Sequence, residues 1–151
     1  MTDASAPLAV PPTIDRVLRQ FRALGREEKM QALLSYAKKL EPLPERYAGI
    51  DRTNFVIPEC QTRVDIFPEY RDGKLHYFAD VNVRQSPTIA AFLSILFSAV
   101  NDQPPATTLA IPPDFVRTMM ENIGLGARES GLTAMVTRVK NYAANADRYA
   151  A

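Results

Sequence analysis

Three side chains of this sequence could take part in covalent chemistry: Cys60, His76 and Arg128. Cys60 is the one cysteine of the chain, so any reaction that passes through a thiol must use it. Its neighbours, Pro-Glu-Cys-Gln-Thr over 58–62, are polar or turn-forming, which is typical of a surface loop. A thiolate in such a loop can act as a nucleophile. The alternative is a free cysteine that packs as a small buried hydrophobe.

Two charged residues bear on the state of that thiol. Glu59 directly precedes Cys60, and a neighbouring carboxylate disfavours a thiolate. Arg128 lies in a glycine-flanked stretch, 124–131, just before the last predicted helix, where backbone N–H groups favour anions. If the fold brings Arg128 near Cys60, its guanidinium would stabilise a thiolate or a persulfide. The alternative is an arginine that faces solvent, as most arginines do.

His76 could act as a general base for Cys60, as in a cysteine hydrolase. However, it falls among the alternating outer positions of a predicted strand, and no Asn or Asp stands out as a residue that would orient it. The pattern therefore favours a solvent-facing histidine, and the hydrolase hypothesis lacks its triad partners.

The residue counts exclude several other classes of site. One cysteine cannot form an internal disulfide, and one cysteine with one histidine falls short of the roughly four ligands of a zinc or iron–sulfur site. The Gly124-x-Gly126 pair is too short for a dinucleotide-binding fingerprint and does not follow a predicted strand. We therefore expect no metal and no cofactor in this chain.

Composition limits the partners and the compartment. The chain has 18 basic and 17 acidic residues, a balance that argues against nucleic-acid binding. Its longest apolar stretch, from Ile89 to Val100, contains two serines and is shorter than the roughly 20 residues that cross a membrane. The N-terminus lacks the layout of a signal peptide. We expect a cytoplasmic protein, because a reducing compartment keeps a lone thiol free.

The periodicity predicts an α+β fold in which helices flank a small sheet. Residues 1–12 read as a flexible tail and residues 13–151 as one domain. The predicted sheet is antiparallel and three-stranded, with strands over 53–57, 62–70 and 75–81 and a hairpin turn at 71–74. Cys60 falls between the first two strands. Predicted helices cover 14–24, 27–40, 87–100, 113–122 and 132–142, and the third of these is the central buried one.

From about residue 14 to 144, the chain resembles the SufE-like family of cysteine-desulfurase sulfur acceptors. Four segments carry the resemblance: Leu24-Gly25-Arg26-Glu27-Glu28-Lys29, Val56-Ile57-Pro58-Glu59-Cys60-Gln61-Thr62-Arg63-Val64, Ser86-Pro87-Thr88-Ile89 and Arg128-Glu129-Ser130-Gly131-Leu132-Thr133-Ala134-Met135.

The sequence also departs from the family pattern. Gly126-Ala127 replaces a common Ser-Pro, Asp65 stands where an aromatic or apolar residue is common, and Asp80 only partly matches the acidic residues before the long helix. Glu59, by contrast, is similar to a variant common in one branch of the family, where other members have glycine. These departures bear on which desulfurase is the partner and how tightly it binds.

The resemblance implies a fold like that of SufE and of the IscU-type iron–sulfur scaffolds, and a role in sulfur transfer. A SufS-like cysteine desulfurase, which carries its own pyridoxal phosphate, would hold sulfur as a persulfide. Cys60 would accept that sulfur, stimulate the desulfurase and pass the sulfur to iron–sulfur cluster assembly, with an Fe–S scaffold complex as a further candidate partner. Arg128 would stabilise the thiolate or persulfide. Such a protein is an accessory sulfurtransferase and activator rather than a stand-alone enzyme.

Two further hypotheses accompany this one. A non-catalytic binding module could activate the desulfurase allosterically by docking, without accepting sulfur. Independently, Pro58 and the polar neighbours of Cys60 suggest that its loop can move, with the sulfur shielded at rest and exposed on docking. A single cysteine suits a carrier, because a second nearby thiol would discharge the persulfide as a disulfide.

Overall fold

The computed structural model describes residues 12–60, 62–123 and 129–150. The predicted tail over 1–12 therefore lies outside the described residues except for Pro12, which begins the first helix. Most of the predicted loop over 124–131 also lies outside them, but Glu129, Ser130 and Gly131 are helical rather than looped.

Two helices open the described chain, as predicted: α1 (Pro12–Arg22) and α2 (Arg26–Lys38). Gly25 caps α2, and its backbone N–H donates to Glu28 Oε1 at 2.9 Å. The predicted apolar stripe of α2 is only half buried. Leu33 is 3% exposed, whereas Met30 and Leu34 are 55% and 42% exposed. The stripe is wider than the surface covered by α3 (Pro87–Val100), the helix that packs against α2.

The sheet is an antiparallel hairpin of β1 (Val64–Arg71) and β2 (Lys74–Val81), paired from Val64 opposite Val81 to Arg71 opposite Lys74. Asp72 and Gly73 form its two-residue turn with positive φ angles of 54° and 75°. This is the conformation that an Asp-Gly pair favours in a tight hairpin, so the predicted turn is confirmed.

The predicted third strand over 53–57 is wrong in extent. It is reduced to a single bridge between Val56 and Asp65. Asp51 accepts a hydrogen bond from the Thr53 backbone N–H at 2.9 Å, and the Arg52 carbonyl accepts one from the Phe55 N–H at 2.9 Å. These contacts hold the chain in turns until Phe55. Pro58 then prevents a longer extended run, so the sheet has two strands rather than three.

Four helices follow the hairpin: α3 (Pro87–Val100), α4 (Pro105–Leu109), α5 (Phe115–Ile123) and α6 (Glu129–Ala144). The central position of α3 is confirmed, since it packs against α1, α2 and β2. The sequence periodicity does not predict the short helix α4, which packs against α6. Two 3₁₀ turns, Glu45–Tyr47 and Ala146–Tyr149, complete the described elements.

The two faces of the hairpin are covered differently. The helix-covered face carries Ile66, Tyr77 and Ala79, which belong to the main apolar core with α3 and α6. The segment-covered face carries Asp65, Phe67 and Phe78, and the irregular chain over 45–56 lies on it. The ring centroids of Tyr47 and Phe55 lie 4.6 Å and 4.8 Å from that of Phe67. The α+β class is confirmed, and Cys60 follows directly after this covering segment.

Candidate functional site around Cys60

Cys60 ends a tight turn that begins at Ile57. The Cys60 N–H donates to the Ile57 carbonyl at 3.3 Å, and Pro58 occupies the second position, where its fixed φ suits a turn. Ile57 is 2% exposed and anchors the turn in the core. Pro58 and Glu59 are exposed, whereas Cys60 itself is half-buried. The thiol is therefore neither a buried core residue nor a fully exposed loop tip.

The described residues 57–60 and 62–64, which we call the Cys60 segment, are closed at their base by two hydrogen bonds. The Ile57 N–H donates to the Val64 carbonyl at 2.8 Å, and the Ile66 N–H donates to the Phe55 carbonyl at 2.9 Å. These two bonds pair the incoming and outgoing chain in antiparallel fashion. Cys60 thus lies between an incoming arm, 57–59, and an outgoing arm, 62–64, at the open end of the hairpin.

The sulfur packs against the first turn of α6. A Cβ atom added to Gly131 would lie 3.7 Å from Cys60 Sγ and 3.6 Å from Cys60 Cα. These are ordinary van der Waals distances, so the Cys60 segment lies in close contact with the helix at Gly131. The N-terminal end of a helix favours negative charge, so this position suits a sulfur anion.

Arg138, further along α6, holds the chain that leads into the Cys60 segment. Its guanidinium donates to the Asn54 carbonyl at 2.9 Å and to the Val56 carbonyl at 3.1 Å. Arg138 is not among the candidate residues that the sequence indicates. The available signal was its position seven residues after Gly131, which puts both on one face of the helix.

Asp65, just beyond the segment, is a fully buried carboxylate at 0% exposure. Arg63 donates to both of its oxygens, from Nε and Nη2, each at 3.1 Å. Arg52 Nη1 lies 3.5 Å from Asp65 Oδ2 and also donates to Asp80, the residue opposite Asp65 on β2. The Asp65 hydrogen bond raises the pKa of Arg63 further above its ordinary value. Two carboxylates and two guanidinium groups therefore balance in charge beside the Cys60 segment.

Ser86 contacts the Cys60 segment instead of capping α3. It is the residue before α3, but its side chain makes no capping hydrogen bond. Instead, Ser86 Oγ donates to Thr62 Oγ1 at 3.1 Å. The start of the central helix is thereby connected to the outgoing arm of the Cys60 segment.

His76 is engaged away from Cys60. It pairs with Glu69 near the turn of the hairpin, away from the open end that continues into the Cys60 segment. Its Nε2 lies 2.7 Å from Glu41 Oε1 and its Nδ1 lies 2.9 Å from Asp102 Oδ1. Burial lowers the pKa of His76, but the hydrogen bonds to the two carboxylates outweigh it and raise the pKa overall. Half-buried and bonded at both nitrogens, His76 differs from the free solvent-facing histidine that the strand pattern favours.

Arg128 lies outside the described residues, so its proposed support of the sulfur remains a prediction. Within 12–60, 62–123 and 129–150, no group of three or more His, Cys, Asp or Glu side chains is arranged to hold a metal ion. Over the same residues, every helix is too short or too polar to cross a membrane.

Comparisons with known proteins agree with this architecture. The model of the SufE family, described as an Fe–S metabolism associated domain, matches residues 15–143. An uncharacterized SufE-like protein of Mycobacterium tuberculosis is 30% identical over 151 aligned positions, which cover 95% of this chain and 99% of the relative. One from Synechocystis is 28% identical over 112 positions, covering 74% and 67%. This α+β chain therefore belongs to the SufE family, a family associated with Fe–S metabolism.

A solved structure leads to the same fold. The solution structure of a hypothetical protein from Thermus thermophilus superposes with a TM-score of 0.75 at 29% sequence identity. The match covers 93% of this chain and 99% of that one. The predicted resemblance and fold class are thus confirmed.

Proposed function

We propose that this protein accepts sulfur from a cysteine desulfurase onto Cys60 and passes it to iron–sulfur cluster assembly. The observation that carries the proposal is the position of its one thiol: Cys60 is half-buried, with its sulfur against the first turn of α6. Membership of a family associated with Fe–S metabolism supports the destination of the sulfur.

The transfer is a thiol–persulfide exchange. The Cys60 thiolate attacks the outer sulfur of the donor's cysteine persulfide, a new S–S bond forms at Cys60, and the donor's S–S bond breaks to release its thiolate. One persulfide and one thiolate stand on each side of the reaction, so no external oxidant or reductant is needed. With no second cysteine in the chain, the Cys60 persulfide cannot collapse into an internal disulfide.

The surroundings of Cys60 suit the charge of the product. The first turn of α6 favours a negative charge on the sulfur, and Arg128, three residues before Gly131 in the sequence, would add a guanidinium to it. The donor would be a SufS-like desulfurase that carries its own pyridoxal phosphate, and an Fe–S scaffold complex would receive the sulfur. A reducing cytoplasm would keep the thiol available. The protein acts in this scheme as an accessory sulfurtransferase.

The half-buried sulfur also favours a second candidate function. A module that only docks on the desulfurase and activates it allosterically needs no exposed thiol, and Cys60 is partly shielded. The two functions differ in whether sulfur arrives on Cys60.

Mass spectrometry distinguishes them. The protein is incubated with desulfurase holoenzyme and cysteine, and we expect a mass gain of one sulfur atom that peptide mapping locates at Cys60. Cys60→Ser should keep its fold, gain no sulfur and fail to stimulate cysteine turnover, because the single thiol is gone. Arg128→Ala should lower the yield of persulfide. Full stimulation by Cys60→Ser would contradict the transfer mechanism and support the docking module.

A further inference from the structure

The buried carboxylate of Asp65 is paired with arginines that lie on either side of Cys60 in the sequence. A buried charge is costly unless it is paired and hydrogen-bonded, and here the partners are Arg52 and Arg63. Arg52 precedes the Cys60 segment, whereas Arg63 belongs to the outgoing arm of that segment. One buried carboxylate thus connects the chain on both sides of Cys60.

The two arginines are held very differently. Arg52 is 22% exposed and also bonds Asp80, and it relieves the repulsion between two carboxylates that face each other across the hairpin. Arg63 is 65% exposed, and Asp65 is its ion-pair partner among the described residues. Arg52 is therefore a fixed part of the segment-covered face. Arg63 is solvent-accessible, and Asp65 would keep Arg52 as an ion-pair partner if Arg63 moved away.

We propose that Asp65 is a positioning residue that acts through Arg63: the bidentate pair holds the outgoing arm of the Cys60 segment, keeps the sulfur against Gly131, and must open for the sulfur to be presented. The proposal deepens the sulfur-transfer function and rests on it for its purpose. The geometry that carries it is the place of Arg63 within the segment, three residues after Cys60 and bonded through both Nε and Nη2. A bidentate arginine fixes orientation as well as distance.

The test measures how fast Cys60 of the isolated, full-length protein reacts with iodoacetamide, a small neutral reagent. In Arg63→Gln, the bidentate pair is lost while Asp65 keeps Arg52. We expect alkylation to accelerate about two- to fivefold, because the Arg63 guanidinium is solvent-exposed and such a pair contributes little free energy. Arg63→Lys keeps the positive charge but cannot form the bidentate pair. Its alkylation rate should lie between those of the wild type and Arg63→Gln. Arg84→Gln is the matched control, because Arg84 is exposed on the neighbouring 82–85 stretch and makes no ion pair within the described part of the chain.

The salt dependence of the Cys60 alkylation rate separates an electrostatic role of Arg63 from a merely structural one. Screening weakens an ion pair that reaches solvent, as this one does through Arg63. Raising the salt concentration from about 0.05 M to about 1 M should therefore accelerate alkylation of the wild type and of Arg84→Gln but not of Arg63→Gln. If Arg63→Gln fails to fold, the salt dependence of the wild-type alkylation rate still tests the proposal. Equal alkylation rates for Arg63→Gln and Arg84→Gln, or a wild-type rate that is independent of salt, would overturn the proposal.

The outcome is distinguishable from failure of the proposed function, because alkylation is measured without a desulfurase. If Cys60 never gains sulfur in the mass spectrum but its alkylation responds to Arg63 and to salt, the positioning role stands and the transfer function falls. If Cys60 gains sulfur but its alkylation does not respond, the transfer function stands and the positioning role falls.

Discussion

The two faces of the β1–β2 hairpin are stabilised in different ways. On the helix-covered face, apolar side chains such as Ile66 and Tyr77 meet α3 and α6 in one continuous core. On the segment-covered face, an irregular chain is held by aromatic stacking on Phe67 and by charged contacts such as those of Arg46 and Tyr47 with Glu69. The Cys60 segment continues from the irregular chain on the segment-covered face. Its sulfur packs against α6, a helix of the helix-covered face.

This difference suggests how the domain can combine a stable frame with a movable site. Helix packing is cooperative and costly to disturb, because removed side chains leave cavities in a close-packed interior. An irregular segment held by a few polar contacts can open locally at a lower free energy. We therefore expect substitutions on the helix-covered face to unfold the whole domain and those on the segment-covered face to loosen one stretch.

The largest effect should come from the core of the helix-covered face. Leu93 in α3 has 0% exposure, and Leu93→Ala should lower the free energy of unfolding by about 2–5 kcal/mol because it leaves a cavity. Urea unfolding followed by circular dichroism measures this loss. Leu109→Ala is the control, since Leu109 is 43% exposed and should change stability by less than about 0.5 kcal/mol. Equal losses for both variants would contradict the assignment of the core.

A smaller and more local effect should come from Glu69 on the segment-covered face. Its side chain, 16% exposed, accepts hydrogen bonds from Arg46 and Tyr47. Burial acts to raise the pKa of Glu69, but these two bonds outweigh it and lower the pKa. Glu69→Gln weakens both bonds, and we expect a loss of about 1 kcal/mol.

Hydrogen exchange tells where that loss is felt. The amides of the covering chain over 45–56 should exchange faster in Glu69→Gln, while those of α3 should change only by the small global loss. Equally faster exchange in α3 and in the covering chain would mean that the two faces form one cooperative unit. That result would contradict the expectation that the segment-covered face opens locally.

The same contrast explains what could be predicted from the sequence. Period-3.6 spacing indicated α1, α2 and α3, and Asp72-Gly73 indicated the hairpin turn, because these signals are local. The five residues of α4 are too few to show a period. The strand over 53–57 looked extended, but the Asp51 side chain and the Arg52 carbonyl fold it into turns.

The site was predictable only in its central residue. Cys60 stands out by its type and its polar neighbours, whereas Arg138 reaches the Val56 carbonyl across a sequence separation of 82 residues. No local pattern shows such a contact. Asp65 was visible only as a departure from the family, and an isolated aspartate in a strand gives no sign that Arg52 and Arg63 make its complete burial possible.

The smallest effect, and one with a distinct pH signature, should come from His76 on the segment-covered face. Its contacts with Glu41 and Asp102 raise the pKa of His76 above its ordinary 6.5, although burial opposes them. A raised pKa means that the stabilisation is fully present below about pH 6.5 and is lost as the pH rises through the folded-state pKa. Because both carboxylates are largely exposed, the contribution should stay below about 1 kcal/mol.

His76→Gln tests this with unfolding measured at pH 6 and pH 9, both above the range in which carboxylates usually protonate. At pH 6, the wild type should be the more stable protein, because protonated His76 pairs with Glu41 and Asp102. At pH 9, neutral His76 keeps only ordinary hydrogen bonds, so the difference should shrink. An equal difference at both pH values would mean that His76 stabilises the fold through packing, for instance against Phe78, whose ring centroid lies 4.6 Å away. This part of the segment-covered face would then be stabilised by packing, as the helix-covered face is.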